Sequence, residues 1–180
     1  MSKRSEIDMI CGTLEYGVAS IGGFCIGSTY IIDHQVLSGL GYCFSASAPP
    51  LLTQAAISAL DRFEEQPVIF EELRCISKKL DAKMHQFSMF ELAGDPLSPV
   101  KHLYLKEQFD RDTEMSLISQ IVGACVENNL AVVNAEYLVD REFPKCPRSS
   151  IRITSNRLLT DDDIEFVFNT LESVSKKVLS

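Results

Sequence analysis

Histidine and cysteine are among the side chains of this sequence that could act as bases, nucleophiles or metal ligands. The three histidines, His34, His85 and His102, have no acid or nucleophile at a spacing that predicts a catalytic triad. We therefore interpret them as structural. The six cysteines include no Cys-x-x-Cys pair and have no histidine at ligand spacing, so we expect free thiols packed as small hydrophobic groups and no metal site.

Composition and charge exclude several classes of function. The net charge of −8 disfavours a nucleic-acid partner, because binding to a phosphate backbone depends on clustered Lys and Arg. The apolar runs fall well short of the roughly 20 residues that span a bilayer. The polar start, Met1 to Glu6, lacks the pattern of a secretory signal, so we expect a reducing compartment. With 180 residues and 46% hydrophobic content, one globular unit is expected, with room for part of a second.

Two short strands are predicted near the start of the chain. The segment Ile7 to Leu14 is apolar and ends at a turn, and Ile21 to Ile26 forms the second candidate. Within the latter, Gly22 and Gly23 indicate a bulge or a close approach of two backbones. Because a domain rarely begins inside a strand, we expect this chain to be the continuation of a longer protein.

Two helices are predicted next, after a turn-rich segment from Ser38 to Tyr42. Pro49-Pro50 opens the first, and Pro67 ends it and starts the second. The apolar stripe of the first is Leu51, Leu52, Ala55, Ala56, Ala59, Leu60 and Phe63. That of the second is Ile69, Leu73, Ile76, Leu80 and Met84, and its polar face is Lys78, Lys79 and Asp81.

The rest of the chain alternates short strands with helices, which predicts an α/β fold. The predicted strands are Ser88 to Leu92, Val100 to Leu105, Leu130 to Asn134 and Ser150 to Ser155, and a loop covers Asp140 to Pro147. A helix is predicted from Asp112 to Asn128, and its inward-facing residues should be Met115, Ile118, Ile121, Val122 and Cys125. The final helix follows a capping-box variant, Thr160 with three aspartates, and its apolar face is Ile164, Val167, Phe168, Leu171, Val174 and Val178.

Three motifs carry a specific resemblance to a known family. They are Ala19-Ser-Ile-Gly-Gly-Phe-Cys-Ile-Gly27, Ile32-Asp-His-Gln35 and Leu37-Ser-Gly-Leu-Gly-Tyr-Cys-Phe-Ser-Ala-Ser-Ala-Pro-Pro50. The chain resembles the α-oxoamine synthases, fold-type-I pyridoxal-phosphate (PLP) enzymes, and among them the lysine-less first subunits of eukaryotic serine palmitoyltransferase. The resemblance implies that residues 1–66 end the large PLP-transferase domain and residues 67–180 form the small C-terminal α/β domain.

One substitution separates this chain from the catalytic members of the family. Their motif D-x-x-x-G-T-F-x-K supplies the lysine that binds the cofactor, and its counterpart here is Asp8-Met-Ile-Cys-Gly-Thr-Leu-Glu-Tyr16. Tyr16 occupies the lysine position, and a phenol forms no imine with an aldehyde. Glu15 adds a carboxylate near the expected phosphate, which is unfavourable without a cation. The resemblance therefore implies no catalytic residue in this chain and a cofactor held covalently by another subunit.

Three further residues match binding positions of the family. Thr13 matches a threonine that hydrogen-bonds the PLP phosphate, or else its hydroxyl simply ends a strand. Ser45 matches a hydroxyl that reaches across the dimer to the partner's phosphate, while Ser47 could simply cap the Pro49-Pro50 helix. Arg152 matches the arginine that holds the substrate carboxylate, and the alternative is a structural ion pair with an acidic residue.

The resemblance implies a heterodimer with a lysine-bearing second subunit at the endoplasmic reticulum. Such an enzyme condenses L-serine with palmitoyl-CoA to 3-ketosphinganine, the entry step of sphingolipid synthesis, and this chain alone should be inactive. A second hypothesis is a non-catalytic fragment that binds and regulates the lysine-bearing subunit. A third, a homodimer that uses another lysine, has little support, because only Lys3 precedes the helices.

Overall fold

The protein is described by a computed structural model that covers residues 7–135, 137 and 147–179. The chain divides into two compact units, residues 1–67 and residues 68–180. Each unit is described separately below. The assignment of residues 1–66 and 67–180 to the two domains of a PLP-transferase stays a prediction.

A β-hairpin opens the first unit. Strand β1 (Met9–Thr13) pairs antiparallel with β2 (Gly23–Gly27), so both predicted strands are present with slightly shifted ends. Gly23 lies so close to the Gly12 carbonyl oxygen that a Cβ would stand 2.8 Å from it. The predicted close backbone approach at the glycine pair is therefore confirmed.

Three helices complete the first unit: α1 (Thr29–Ser38), α2 (Leu40–Cys43) and α3 (Pro50–Glu65). The sequence did not predict α1, and the turn predicted at Ser38 to Tyr42 was wrong because most of this segment forms α2. Neither helix buries a side chain, so no apolar face repeats at the helical period to reveal it.

Helix α3 begins where the proline pair predicts it, but without the serine cap. Pro49 is the N-cap residue and Pro50 the first helical residue, and no side chain caps the first turn. The expected cap by Ser47 was wrong, because Ser47 precedes the N-cap by two residues. In the predicted apolar stripe of α3, Ala56 alone is buried, and Leu51 and Leu60 are exposed.

The second unit is a four-stranded antiparallel sheet with three helices. The strands are β3 (Phe90–Ala93), β4 (Val100–Leu105), β5 (Val133–Ala135) and β6 (Ser150–Thr154), in the order β3-β4-β6-β5. The helices are α4 (Val68–Met84), α5 (Arg111–Glu127) and α6 (Asp161–Val178). All of these predicted elements are present, and the loop predicted over residues 140–147 lies outside the described residues except for Pro147.

The core of this unit lies between the three helices and one face of the sheet. Strand alternation places Leu103 and Ile151 inward, while His102 and Arg152 point to the opposite face. The helices contribute Leu80, Met84, Ile118, Ile121, Cys125, Ile164, Phe168, Leu171 and Val174. The α/β architecture expected from the sequence is therefore confirmed for residues 68–180.

Two acidic residues of the second unit are buried, which the apolar pattern of their helices did not predict. Asp81, predicted on the polar face of α4, is buried and pairs with Lys101 of β4. In α5, Glu114 is buried and pairs with Arg148, whereas Met115, predicted inward, is exposed. Both predictions were wrong for the same reason: a pattern of apolar residues gives no sign of a charge whose partner lies far along the chain.

The start of α6 agrees with its predicted cap. The Thr160 hydroxyl accepts from the Asp163 backbone N–H, and the Asp163 carboxylate accepts in return from the Thr160 N–H. The hydrogen bonds that the Thr160 backbone N–H and hydroxyl donate to the Asp163 carboxylate lower the pKa of Asp163 below its usual value. Among the described residues, no helix combines the length and apolar character needed to cross a membrane.

Candidate functional site

The turn between β1 and β2 carries Thr13 and Tyr16, and backbone hydrogen bonds close it. The Leu14 N–H donates to the Gly22 carbonyl at 3.0 Å, and the Ser20 N–H donates to the Leu14 carbonyl at 2.8 Å. Gly22 has φ 113° and Ala19 has φ 54°, so the chain enters the left-handed region twice in this turn. These hydrogen bonds and backbone angles therefore give the turn a defined conformation.

A buried hydroxyl ties this turn to helix α3. Ser20 Oγ donates to the Leu52 carbonyl at 2.8 Å, and Ser20 and Ala56 are the buried residues of the described part of the first unit. Leu52 lies in the first turn of α3, where its carbonyl points along the helix. The segment that carries Tyr16 is thus fixed to a helix on one side and to the hairpin on the other.

Tyr16 is 77% exposed at the tip of this turn. Its phenol supplies no amine, and the sequence has no lysine between residues 4 and 77. An imine with the PLP aldehyde needs a primary amine, so the first unit of the described chain cannot bind the cofactor covalently.

The hydroxyl of Thr13 is already used within the turn. Its Oγ1 accepts from the Glu15 N–H at 3.2 Å and lies 3.5 Å from the Gly22 carbonyl. Glu15 is exposed, and in residues 7–67 the sole Lys or Arg is Arg62. These residues do not fit PLP as a resident cofactor of this chain.

Ser45 lies between α2 and α3 and is exposed. Its hydroxyl donates to the Gly41 carbonyl of α2, which leaves the oxygen lone pairs as acceptors. No hydrogen bond joins Ser45 to Thr13 or Tyr16 among the described residues, so the three positions of the first unit do not form one cluster by direct contact.

Arg152 lies on β6, on the sheet face opposite the core. The register pairs it with His102 of β4 and Val133 of β5, and it is half-buried. Within the described part of the chain, no carboxylate lies within ion-pair distance of its guanidinium. The structural ion pair considered from the sequence is therefore not seen among these residues, and the donors of Arg152 remain available to an anion.

His102, which we interpreted as structural from the sequence, lies beside Arg152. Its Nδ1 lies 2.8 Å from Ser150 Oγ, and its ring stacks near Tyr104 with centroids 6.3 Å apart. Burial, and then the charge of Arg152, lower the pKa of the imidazole, which favours the neutral ring. Sequence spacing did not relate His102 to Arg152, which lies 50 positions later, because only the strand register brings them side by side.

Comparisons with known proteins decide the family. Serine palmitoyltransferase 1 of Dictyostelium discoideum is 30% identical over 96% of this chain and 37% of its own length. Long chain base biosynthesis protein 1b of Oryza sativa subsp. japonica is 33% identical over 97% of this chain and 36% of its own length. This chain is homologous to serine palmitoyltransferase 1. No protein-family model matches it.

Solved serine palmitoyltransferases share the fold. The enzyme from Sphingomonas wittichii superposes with a TM-score of 0.77 and 19% identity, over 98% of this chain and 41% of that chain. A structure of SPT with its PLP internal aldimine gives a TM-score of 0.78 and 18% identity, over 98% and 42%. The homology with serine palmitoyltransferase 1 agrees with the resemblance noted in the sequence. The chain spans little more than a third of the length of the two curated relatives.

Proposed function

We propose that this chain is the non-lysine subunit of a serine C-palmitoyltransferase. The enzyme would join L-serine to palmitoyl-CoA and release CoA and carbon dioxide, giving 3-ketosphinganine for sphingolipid synthesis. A lysine-bearing second subunit would hold PLP covalently and supply the carbanion chemistry of that cofactor. The complex would act at the cytosolic face of the endoplasmic reticulum membrane.

The observation that carries this proposal is Tyr16 at the lysine position. The turn around it has a defined backbone, held by hydrogen bonds at Ser20 and Gly22, but it lacks a reactive amine. A homologue of this enzyme family with that substitution needs the amine of another polypeptide. Thr13 and Ser45 would then act towards the PLP phosphate of the partner subunit, and Arg152 towards the substrate carboxylate.

The surface of the first unit supports an obligate partner. Sixteen large apolar side chains of residues 7–67 are exposed: Ile7, Met9, Ile10, Tyr16, Ile21, Phe24, Ile26, Tyr30, Val36, Leu37, Leu40, Tyr42, Phe44, Leu51, Ile57 and Leu60. Soluble monomers rarely expose so many together, and such surfaces mark sites covered by other protein. We expect the remaining length found in the relatives and the lysine-bearing subunit to cover them.

Co-expression tests this function directly. We would express the chain with a lysine-bearing serine palmitoyltransferase subunit in cells that lack their own first subunit, purify the complex and measure 3-ketosphinganine made from L-serine and palmitoyl-CoA. We expect product from the complex and none from either chain alone. A complex that forms but stays inactive would favour the regulatory-fragment hypothesis, and failure to form a complex would reject both.

A pair of matched variants shows whether the apolar surface makes the contact. Leu51→Asp places a charge on the exposed surface of the first unit, and Leu158→Asp does so at an equally exposed leucine of the second unit. We expect Leu51→Asp to weaken co-purification by about tenfold or more, because an unpaired carboxylate would be buried in the contact. Leu158→Asp should co-purify as the unmodified chain does, and an equal loss for both variants would contradict this surface as the interface.

A further inference from the structure

Two cysteines face each other across the hairpin of the first unit. The register of β1 and β2 pairs Cys11 directly with Cys25, and the two Sγ atoms lie 3.6 Å apart. Cys11 is exposed and Cys25 is half-buried, and neither is in a disulfide. Sequence spacing did not pair them, because 14 positions separate them and they form no Cys-x-x-Cys motif.

The backbone geometry at this pair suits a disulfide. The Leu14 N–H bonds to Gly22, so the 14/22 pair is hydrogen-bonded and, by alternation, 11/25 is a non-hydrogen-bonded pair. Such pairs have Cα atoms about 4.5 Å apart, within the separation of about 4.4–6.8 Å that disulfides span. The sulfur atoms need to approach by only roughly 1.5 Å to reach bonding distance.

We propose that Cys11 and Cys25 form a reversible thiol–disulfide pair, a modification site next to the Tyr16 turn. With glutathione disulfide as oxidant, the two thiols lose two protons and two electrons and form one S–S bond, while the glutathione S–S bond breaks and two molecules of reduced glutathione leave. A disulfide of this kind in a reducing compartment is transient and redox-sensing rather than structural.

The resting form of the pair is two thiols. Cys11 donates a hydrogen bond to the Cys25 sulfur, and this contact raises the pKa of the Cys11 thiol above its usual value. The other described cysteines differ: Cys125 is buried in the core with a pKa raised to about 11 by burial, and Cys43 and Cys75 have no cysteine across from them.

The bond would close a loop that contains Thr13 and Tyr16. Oxidation would therefore fix the ends of the segment whose counterpart holds the lysine in catalytic relatives. The thiol chemistry itself does not depend on the proposed function, and the test below uses no activity.

Glutathione redox buffers and peptide mapping test the pair. We would equilibrate the full chain in oxidising glutathione, alkylate the remaining thiols and identify cross-linked peptides by mass spectrometry. We expect one Cys11–Cys25 link in the unmodified chain and in the control variant Cys43→Ser. In Cys11→Ser and Cys25→Ser, the remaining cysteine should carry a mixed disulfide with glutathione instead.

Cleavage with chymotrypsin after the exposed Tyr16 gives a second readout. In the oxidised chain, residues 1–16 should stay joined to the fragment that contains Cys25 on a non-reducing gel and separate from it when dithiothreitol is added. Separate glutathionylation of Cys11 and Cys25 in the unmodified chain, or release of residues 1–16 without a reductant after oxidation, would overturn the proposal.

Discussion

Lys101 and Asp81 form a buried ion pair between strand β4 and helix α4. Lys101 Nζ lies 2.6 Å from Asp81 Oδ1, and the lysine side chain has no exposed surface. A second hydrogen bond of 2.6 Å runs from the same ammonium to the Asp95 carbonyl. The pair therefore joins α4, the turn after β3, and β4 inside the core of the second unit.

Asp81→Asn should destabilise the second unit strongly. The variant keeps the shape of the side chain but leaves the Lys101 charge uncompensated in the core, which typically costs about 3–5 kcal/mol. Urea unfolding followed by circular dichroism would measure the change in the free energy of unfolding.

Two variants control this measurement. Lys79 lies on the same helix as Asp81 and forms an exposed pair with Asp161 of α6, so Lys79→Ala should leave the free energy of unfolding nearly unchanged. The double variant Asp81→Leu with Lys101→Met removes both charges and should lose less than Asp81→Asn does. A double variant less stable than the single one would show that the charge itself is not the cause.

The second unit should lose stability as the pH falls below the ordinary histidine range. His102 has its pKa lowered in the folded chain, so the unfolded chain binds the proton first and acidification favours unfolding. Its contribution is present above the unfolded pKa and is lost as the pH falls through the folded one. We expect His102→Gln to flatten the dependence of unfolding free energy on pH in this window, whereas His85→Gln, a substitution in the exposed turn after α4, should leave it unchanged. A flat profile in the unmodified chain would contradict a lowered pKa.

Arg152→Ala should weaken binding of L-serine by the assembled enzyme. If the free guanidinium holds the substrate carboxylate, its loss removes charge-assisted hydrogen bonds and should raise the KM for L-serine by about tenfold or more, with the KM for palmitoyl-CoA unchanged. Arg157→Ala is the matched control, because Arg157 already pairs with Glu72 on the surface of the second unit. Equal serine KM values for Arg152→Ala and the unmodified complex would end the substrate-binding role.

Short sequence motifs predicted the features that depend on residues close to each other in the chain. The cap of α6, the proline start of α3 and the short strand β4 each depend on neighbouring residues, and each is present. Helix α1 was missed because none of its residues is buried within the part of the chain that the structure describes, so no apolar face marks it.

Sequence spacing did not predict contacts between residues that lie far apart in the chain. The burial of Asp81, the pairing of Cys11 with Cys25 and the position of His102 beside Arg152 all follow from strand register and packing. A substitution such as Tyr16 for lysine, in contrast, is read from the sequence alone, because the chemistry of one side chain decides it.

The position of the reduced cofactor tests the central claim most directly. We would load the complex of this chain and a lysine-bearing subunit with PLP, reduce it with borohydride and map the pyridoxyl label by mass spectrometry. The account predicts stoichiometric label on one lysine of the partner subunit and none on this chain. Stoichiometric pyridoxyl label on a residue of this chain would contradict it.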